Sequence, residues 1–451
     1  MTKEIASACR KAAQVLLSFP AGTRIRVVSH YDADGIAAAG VLCRMLGRAG
    51  FDFHATLMRN PFTKGFNRLK SERNELIIFS DMGSGQIEEI ASLGCQAIIF
   101  DHHQYLDEKT PPSILQINAN LLGSDGNYEA SGATLCYMLA TAVDQRNEDL
   151  AVLALAGAVG DKQYIGGIRG LNKMILDQAV QKGFLKEKVS MKLCGDTLAD
   201  ALFYSVEPYF PGLSGNAAVI EESLKKLHIE KSLKTENLDN ASLVKLQSFL
   251  LFRLIKAGCP QNILDVTIRK RYYDAKAGWE LERFADLLDA CGKNGYRSLG
   301  LALCLGDTEP WTEALVVEKE YKQKLLDGLQ ALEHDGIHET DGMRYFYTEN
   351  SSLGGVIAGI ATNFLFDEKK PLFSLARKET DDEVHVSCRG NQTLVARGLD
   401  LGAAMKTVAT SLGGFGGGHK IAAGATIVFN KEEEFLEKVN ELMVRQLKGE
   451  R

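Results

Sequence analysis

The feature that most constrains the fold is a series of short apolar runs alternating with helix-like segments. Four runs rich in β-forming residues, RIRVVSH, ELIIFSD, QAIIFDHH and ILQIN, occupy residues 24–30, 75–81, 96–103 and 114–118. Between the first two lies GIAAAGVLCRMLGRAG, at 35–50, with small and apolar residues at helical spacing. Continuous apolar strands separated by helices are typical of a parallel sheet covered on both faces. The pattern therefore predicts an α/β domain in this part of the chain.

Ionisable side chains follow the strands of this predicted sheet and a later helix-like segment, ALAGAVG. They are His30, Asp32, Asp34, Asp81, Asp101, His102, His103 and Asp161. Ligands of open α/β sheets bind outside the carboxyl ends of the strands, so we expect these side chains to converge on one crevice. His30, Asp32 and Asp34 alternate along the chain, which in an extended backbone directs them to the same side.

A metal centre is the interpretation that best explains this set as a whole, although each member has an ordinary structural alternative. Asp32 or Asp34 could cap the helix that begins at Gly35, and Asp161 could be a turn residue. So many carboxylates in one crevice would repel each other severely without a cation. Mixed carboxylate and imidazole ligands suit Mn²⁺ better than an all-oxygen Mg²⁺ site. The number of ligands indicates two ions.

Composition narrows the class of protein. The chain has 451 residues, enough for two or three domains. Its nine cysteines are scattered singly with no CxxC pair, which argues against a zinc ribbon or a disulfide framework and fits a reducing cytoplasm. We find no apolar run long enough to span a bilayer and expect no membrane partner. Because the net charge is −6, a nucleic-acid partner would require a local basic groove.

The remaining chain predicts two further regions. A turn-rich stretch at 204–216 precedes largely helical sequence such as LVKLQSFLLFRLIKAG. From about residue 310 a long helix is followed by strand signals at MRYFYTE, PLFSLARK, EVHVSCRG and GATIVF, an α+β pattern. We therefore expect a catalytic domain over 1–205, a helical insertion or connector over 206–305, and a smaller α+β domain over 306–451. The middle region could be a binding module or merely a helical spacer.

The motifs resemble those of a known family. H-x-D-x-D-G at 30–35, the strand-end Asp81, D-H-H at 101–103 and G-D at 160–161 resemble the motif set of the DHH phosphoesterases, in the same order. SLGGFGGGHKIAAGATI, at 411–427, resembles the GGGH signature of the accompanying DHHA1 domain, and SCRGN, at 387–391, its substrate-binding segment. Chain size and the helical insertion are most similar to the archaeal RecJ-like exonucleases, including those that associate with the GINS replication complex. The resemblance implies an active site in the cleft between the DHH and DHHA1 domains.

The same resemblance implies a role for each matching residue. His30, Asp32 and Asp81 would bind one Mn²⁺ ion, and Asp34, Asp81, His102 and Asp161 a second, with Asp81 bridging and Mg²⁺ as an alternative metal. Asp81 and His103 would be the catalytic residues, with His103 facing the scissile phosphate and Asp101 orienting a neighbouring imidazole. The residues that would bind the substrate are His103, Arg389, Gly416, Gly417, Gly418 and His419. The glycine run fits neither G-x-G-x-x-G nor a Walker A loop, and its structural alternative is a flexible hairpin.

The function implied is a two-metal exonuclease that hydrolyses single-stranded DNA, or RNA, to mononucleotides in the 5′-to-3′ direction during replication or repair. Such an enzyme would act in the cytoplasm. The basic run RKRYY at 269–273 could line the track of the strand or could be a solvated surface. Three alternatives are a phosphodiesterase of short oligonucleotides or cyclic dinucleotides, an inorganic pyrophosphatase, and a replication scaffold bound to GINS. The helical middle region argues against the first and the GGGH segment against the second.

Overall fold

The apolar runs near the N-terminus form parallel strands in the computed structural model, which describes residues 2–59, 65–105, 110–377 and 382–449. The strands are β1 (Arg24–His30), β2 (Asp52–Met58), β3 (Leu76–Ser80), β4 (Gln96–Asp101) and β5 (Ile114–Asn118). They form a five-stranded sheet in the order β2-β1-β3-β4-β5, and each neighbouring pair is parallel. The predicted parallel sheet is therefore confirmed, and the carboxyl ends of its strands lie along one edge.

Helices cover both faces of this sheet. They are α1 (Thr2–Leu17), α2 (Ala33–Arg48), α3 (Phe66–Ser71), α4 (Ile87–Ala91), α5 (Gly132–Val143), α6 (Ala151–Gly160) and α7 (Gly170–Gln181). Val27 and Ile78 point into the core formed with α1, α2, α5 and α6. Val28 and Phe79, one position along each strand, point to the opposite face and pack on α3 and α4. Burial on both faces explains the continuous apolar runs in the central strands β3 and β4.

Strand β2 was missed by the sequence patterns. Its sequence, DFHATLM, mixes polar and apolar residues, and its first three residues are exposed. The strand pairs only with β1 and lies at the edge of the sheet, so it needs no continuous apolar run. The next residue, Arg59, therefore follows β2 at the edge of the sheet where the carboxyl ends of the strands and the predicted metal ligands lie.

The predicted middle region is shared between two structural units. The first unit comprises Met1–Val189 and Lys270–Glu318, and the second comprises Ser190–Arg269 and Lys319–Arg451. Helices α8 (Leu198–Phe203), α9 (Ala217–Leu227), α10 (Asn240–Lys256) and α11 (Gln261–Thr267) belong to the second unit. Helices α12 (Leu281–Lys293) and α13 (Arg297–Leu305) belong to the first unit, where Leu288 and Cys304 are buried in the same core as Leu42. Residues 206–305 thus do not pack as one body.

The chain passes between the units within three elements. These are β6 (Leu185–Met191) and β7 (Ile268–Asp274), which pair as a two-stranded sheet, and the long helix α14 (Trp311–Asp335). The predicted long helix after residue 310 is α14. None of the helices in the described ranges has the combination of length and apolar character needed to cross a bilayer.

The C-terminal part of the second unit is built on its own sheet. The strands are β8 (His338–Glu339), β9 (Arg344–Thr348), β10 (Leu372–Arg377), β11 (Glu383–Arg389), β12 (Phe415–Gly418) and β13 (Ala422–Val428), in the order β12-β13-β11-β10-β9-β8. The helices are α15 (Ser351–Phe364), α16 (Gln392–Ala396), α17 (Leu401–Ser411) and α18 (Glu432–Lys448). Helix α15 contacts β10 and β11, and α17 contacts β12 and β13. The predicted α+β character of this region is confirmed.

Candidate metal centre

Asp81 lies at the centre of the ionisable cluster. It follows β3 directly, is 2% exposed, and has a left-handed backbone with φ of 58°. Aspartate is one of the few non-glycine residues that tolerate this conformation. The Asp81 backbone N–H donates to the Phe100 carbonyl at 2.8 Å, which holds the turn against β4. Each of the three groups of side chains in the described residues that could hold a metal includes Asp81.

The first group combines Asp81 with the H-x-D motif. His30 Nδ1 lies 2.7 Å from Asp32 Oδ2 and 3.4 Å from Asp81 Oδ2. Asp32 also caps α2, because its Oδ1 accepts a hydrogen bond from the Gly35 N–H at 3.1 Å. The capping and metal-binding interpretations of Asp32 are therefore compatible, since each uses a different oxygen of the carboxylate.

The second group brings together residues from four different elements. They are Asp34, Asp81, His102 and Asp161, whose candidate ligand atoms all lie within 4.8 Å of one another. His102 Nε2 is 3.0 Å from Asp81 Oδ1, 3.1 Å from Asp161 Oδ2 and 3.8 Å from Asp34 Oδ2. Asp161 caps the C-terminus of α6, and Asp34 lies in the first turn of α2. The packing of α6 on α2 therefore places these two carboxylates beside the strand ends.

The N-terminus of α5 supports the buried Asp34 carboxylate. The carboxylate accepts hydrogen bonds from Ser131 Oγ at 2.7 Å and from the backbone N–H groups of Gly132 at 2.6 Å and Ala133 at 3.1 Å. Donors of this kind at a helix N-terminus stabilise negative charge. Even so, burial and the neighbouring carboxylates of Asp81 and Asp161 hold the pKa of Asp34 well above its ordinary value. The cluster therefore carries more negative charge than its surroundings compensate.

Hydrogen bonds determine which nitrogen of His102 and His103 faces the cluster. His102 Nδ1 lies 2.6 Å from the Gly126 carbonyl, which can only accept, so Nδ1 carries a proton and Nε2 is the nitrogen that faces the carboxylates. His103 Nδ1 lies 2.8 Å from Asp101 Oδ1. The His103 side chain is 45% exposed, whereas His102 is largely buried. The two adjacent histidines therefore serve different purposes.

Asp101 holds the two histidines that follow it by hydrogen bonds. It accepts hydrogen bonds from His103 Nδ1 and from the backbone N–H groups of His102, His103 and Ser84. Burial disfavours its charge, but these donors, His103 first, keep the pKa of Asp101 below its ordinary value. None of the three candidate metal-binding groups in the described residues includes Asp101. Its contacts match the orienting role that the sequence resemblance implies.

The donor set fits divalent metal ions. His30 Nδ1 is buried beside two carboxylates, yet in the described residues it makes no hydrogen bond of acceptable geometry. An imidazole nitrogen that faces carboxylates without such a bond is the arrangement that a cation between them would satisfy. A cation would also relieve the repulsion by neighbouring carboxylates that raises the pKa of Asp34. His30, Asp32, Asp34, Asp81, His102 and Asp161 could therefore hold metal ions, as the sequence resemblance implied.

A pocket of about 270 Å³ adjoins the cluster. Its lining includes His30, Asp81, Asp101 and His103 together with Arg59, Gln86 and Gln104. Arg59 was not a candidate in the sequence analysis, because the strand that precedes it lacks an apolar pattern. A guanidinium beside a carboxylate cluster is suited to bind a phosphate that metals also contact.

The substrate-binding candidates of the C-terminal region lie together within the second unit. Arg389 ends β11 opposite Ala422 of β13, and Gly418 of β12 pairs with Ala423. The His419 N–H donates to the Ala422 carbonyl at 2.8 Å. The glycine run thus forms an edge strand and tight turn, so the hairpin alternative describes its backbone correctly.

The basic run RKRYY lies in β7 and is not uniformly solvated. Arg271, in the middle of the run, is 2% exposed and forms ion pairs with Glu280 and Glu282. Lys270 pairs with Glu187 at the surface. A buried and paired guanidinium cannot contact a nucleic-acid strand, so this run contributes less to such a track than its sequence suggested.

Comparison with known proteins places the chain in a family. Residues 24–158 match the N-terminal domain of the DHH family, and residues 342–445 match the DHHA1 domain. The chain is 33% identical over 431 residues to the uncharacterized protein MJ0831 of Methanocaldococcus jannaschii, covering 94% of each chain. It is 27% identical over 198 residues to the single-stranded-DNA-specific exonuclease RecJ of Thermus thermophilus, covering 41% of this chain and 28% of RecJ.

Solved structures show the same fold. RecJ of Thermus thermophilus in complex with Mn²⁺ superposes with a TM-score of 0.59 at 19% identity over 97% of this chain, which spans about 55% of that RecJ. The same RecJ in complex with Mg²⁺ gives a TM-score of 0.54 at 19% identity, over 97% of this chain and 52% of that one. CDC45 of Entamoeba histolytica gives a TM-score of 0.63 at 13% identity, over 98% of both chains.

The family matches, the RecJ relative and the shared fold agree with the motifs quoted above. The chain therefore belongs to the DHH/DHHA1 superfamily of phosphoesterases and is a RecJ-like member of it. The resemblance on which the sequence analysis relied is thereby confirmed.

Proposed function

We propose that this protein is a metal-dependent exonuclease that hydrolyses single-stranded DNA, and RNA as a second substrate, from the 5′ end to mononucleotides. One observation carries the proposal: three overlapping groups of metal-binding side chains share Asp81 and open onto a pocket that Arg59 also lines. A phosphate in that pocket would meet a cation on one side and bound metals on the other. Its place in the cell would be the cytoplasm, in DNA replication or repair.

Two divalent ions, Mn²⁺ in preference to Mg²⁺, are the proposed cofactors. His30, Asp32 and Asp81 would hold one ion, and Asp34, Asp81, His102 and Asp161 the other. Metal ions held there would neutralise phosphate charge and make a water molecule acidic enough to react near neutral pH. The imidazole ligands favour a transition metal over Ca²⁺, which takes more oxygen ligands at longer distances.

The protein's own groups would orient the substrate. Asp101 holds the His103 ring through Nδ1, which leaves the other ring nitrogen for a phosphoryl oxygen. Arg59 would bind a second oxygen of the same or the next phosphate. Such fixed donors stabilise the charge that develops on the phosphoryl group in the transition state. We further propose that Arg389, His419 and the glycine run bind the same strand.

The proposal also includes a protein partner. The sequence resembles the archaeal RecJ-like nucleases that associate with the GINS replication complex, and we propose GINS as a partner on that resemblance. A scaffold role would be compatible with catalysis, because the metal ligands are all present in the sequence.

The test is a time course on single-stranded oligonucleotides labelled at either end. With Mn²⁺ we expect 5′-labelled DNA to release its label as a mononucleotide from the first time points, while 3′-labelled DNA shortens progressively. Mg²⁺ should support a slower reaction and Ca²⁺ none. RNA of the same sequence serves as the second substrate, and a fully paired duplex as the control.

Other outcomes would point to the alternatives. Turnover of dinucleotides and cyclic dinucleotides alone would indicate a phosphodiesterase of short substrates. Inactivity with every metal and substrate would leave only a binding role, and equal rates with Ca²⁺ would contradict the proposed ligands.

Substituting Gly417 with alanine should impair catalysis without disturbing the fold. An added Cβ at Gly417 would meet no heavy atom within 4 Å in the described residues. At Gly416, in contrast, it would lie 2.5 Å from the Met405 carbonyl oxygen. If the Gly417 backbone approaches a substrate phosphate, a methyl group there would displace the strand. A displacement of about 1 Å can cost on the order of 10² in rate.

The measurements are steady-state cleavage and thermal unfolding of both alanine variants. Gly417→Ala should keep the wild-type melting temperature, and Gly416→Ala should lower it. Wild-type turnover by Gly417→Ala would show that the glycine run does not contact the substrate.

A further inference from the structure

A buried amide pair lies behind the DHH histidines. Gln163 and Asn172 are 2% and 1% exposed, and Asn172 Nδ2 donates to Gln163 Oε1 at 2.6 Å. Gln163 Nε2 in turn donates to the Gly126 carbonyl at 2.9 Å and to the Ala130 carbonyl at 3.1 Å. Because two carbonyls surround its nitrogen, the Gln163 amide has only one orientation that satisfies its hydrogen bonds.

The Gly126 carbonyl links this pair to the metal centre. It accepts from Gln163 Nε2 and lies 2.6 Å from His102 Nδ1, whose other nitrogen faces the carboxylate cluster. Asn120 holds the same loop from the other side. Its Oδ1 accepts from the Gly126 N–H at 3.0 Å, and its Nδ2 donates to the His102 carbonyl at 2.9 Å.

Gly126 must approach His102 closely for this arrangement to form. A Cβ at Gly126 would lie 1.9 Å from the His102 carbonyl oxygen, so no other residue fits without moving the loop.

The short turn after α6 contributes both to the carboxylate cluster and to the amide pair. Asp161 points into the carboxylate cluster, and Gln163, two positions later, points into the amide pair.

We propose that Gln163, held by Asn172, is a positioning residue for the second metal. By fixing the Gly126 carbonyl, which accepts from His102 Nδ1, it keeps the ring oriented with Nε2 directed at Asp81 and Asp161. The inference rests on the proposed function, in that it takes the group of Asp34, Asp81, His102 and Asp161 as a metal site. Groups that orient a metal ligand in this way typically contribute 10–100-fold to metal affinity or activity.

The test compares Mn²⁺ binding by the wild-type chain and by Gln163→Met. Methionine has nearly the same length and volume but cannot donate to either carbonyl. We expect Gln163→Met to bind the second Mn²⁺ ion about 10–100-fold more weakly in calorimetry. Proton NMR of the metal-free proteins should show a downfield, slowly exchanging His102 Nδ1–H in the wild type, where it donates to the Gly126 carbonyl, and a faster-exchanging one in the variant.

Asn147→Leu is the matched control. Asn147 is also a buried amide, 1% exposed, that donates to a backbone carbonyl, that of Ala140 at 2.9 Å, but it lies outside the candidate metal groups. This variant should lose stability comparably while keeping Mn²⁺ affinity and the His102 Nδ1–H signal.

Each outcome of these measurements supports or contradicts the proposed role of Gln163. Equal Mn²⁺ affinity in Gln163→Met and wild type would overturn the inference, as would weaker binding with an unchanged His102 Nδ1–H signal. If Gln163→Met fails to fold, the wild-type spectrum still decides, since a rapidly exchanging His102 Nδ1–H would contradict the proposed positioning. Absence of Mn²⁺ binding by the wild type would instead refute the proposed function itself.

Discussion

Replacing Asp81 with asparagine should abolish metal-dependent hydrolysis while the first unit remains folded. Asp81 is shared by every candidate metal group in the described residues, so its loss would disrupt both ions. We expect a fall of at least ~10³ in kcat, beyond the 10–100-fold typical of residues that act through a ligand. Asparagine is preferred to alanine because it tolerates the left-handed backbone at φ of 58°.

The fold should survive because Asp81 is a source of repulsion in the metal-free protein. Together with burial and Asp161, it raises the pKa of Asp34, so removing its charge relieves that repulsion. Asp149→Asn, which affects ion pairs with Arg48 and Arg44 away from the metal centre, serves as the control and should retain full activity. The assay is cleavage of a labelled strand with Mn²⁺, accompanied by circular dichroism. Normal turnover by Asp81→Asn would exclude a bridging role.

Replacing His419 with alanine, or Arg389 with methionine, should slow hydrolysis by a factor on the order of 10²–10³. Both residues belong to the second unit, whereas every candidate metal ligand belongs to the first. If they contact the substrate phosphate as proposed, the variants should keep wild-type Mn²⁺ affinity. The loss should appear in kcat if the contact tightens in the transition state, and in KM if it binds substrate and transition state equally.

Steady-state kinetics on a labelled single strand and calorimetry with Mn²⁺ separate these cases. Lys420→Ala, next to His419 in the same turn, is a useful comparison because it removes a charge from the turn without removing the imidazole. Wild-type turnover by both His419→Ala and Arg389→Met would mean that the second unit does not act on the strand, and the roles carried over from the DHHA1 resemblance would be withdrawn.

The metal-binding candidates were predictable because the strands of a parallel sheet all end at the same edge, which brings the residues that follow them together. His30, Asp81 and His102 end or follow three neighbouring strands whose register places their carboxyl ends side by side. No geometric detail was needed for that inference, only the recognition that the strands are apolar and parallel.

The residues that were missed act in ways that residue type does not reveal. Arg59 follows an edge strand, whose mixed sequence gives little signal. Gln163 acts through the backbone carbonyl of Gly126, and the loop that carries this carbonyl has no motif of its own. Arg59 could have been found from its position, since it follows the end of a strand as the other site residues do. Gln163 could not be found in this way, because the fold alone brings it to Gly126.

The packing of the middle region was likewise not predictable. Apolar positions at helical spacing show that α10 and α12 each bury one face, but not which core receives it. In the structure Leu288 of α12 joins the core of the first unit, whereas α10 lies in the second. A boundary based on sequence texture alone placed both helices in one region.

Because each unit is assembled from two separate stretches of sequence, neither can finish its core early in synthesis. The first unit needs α12 and α13, which emerge only after Ser190–Arg269 has been translated. At about 5–20 residues per second, that delay is on the order of ten seconds. The helices of the second unit likewise emerge before Lys319–Arg451, the stretch that contains Glu333, which is the hydrogen-bond partner of Tyr209. The nascent chain must therefore hold two half-built cores at once, because the second stretch of each unit is translated only after a stretch that belongs to the other unit.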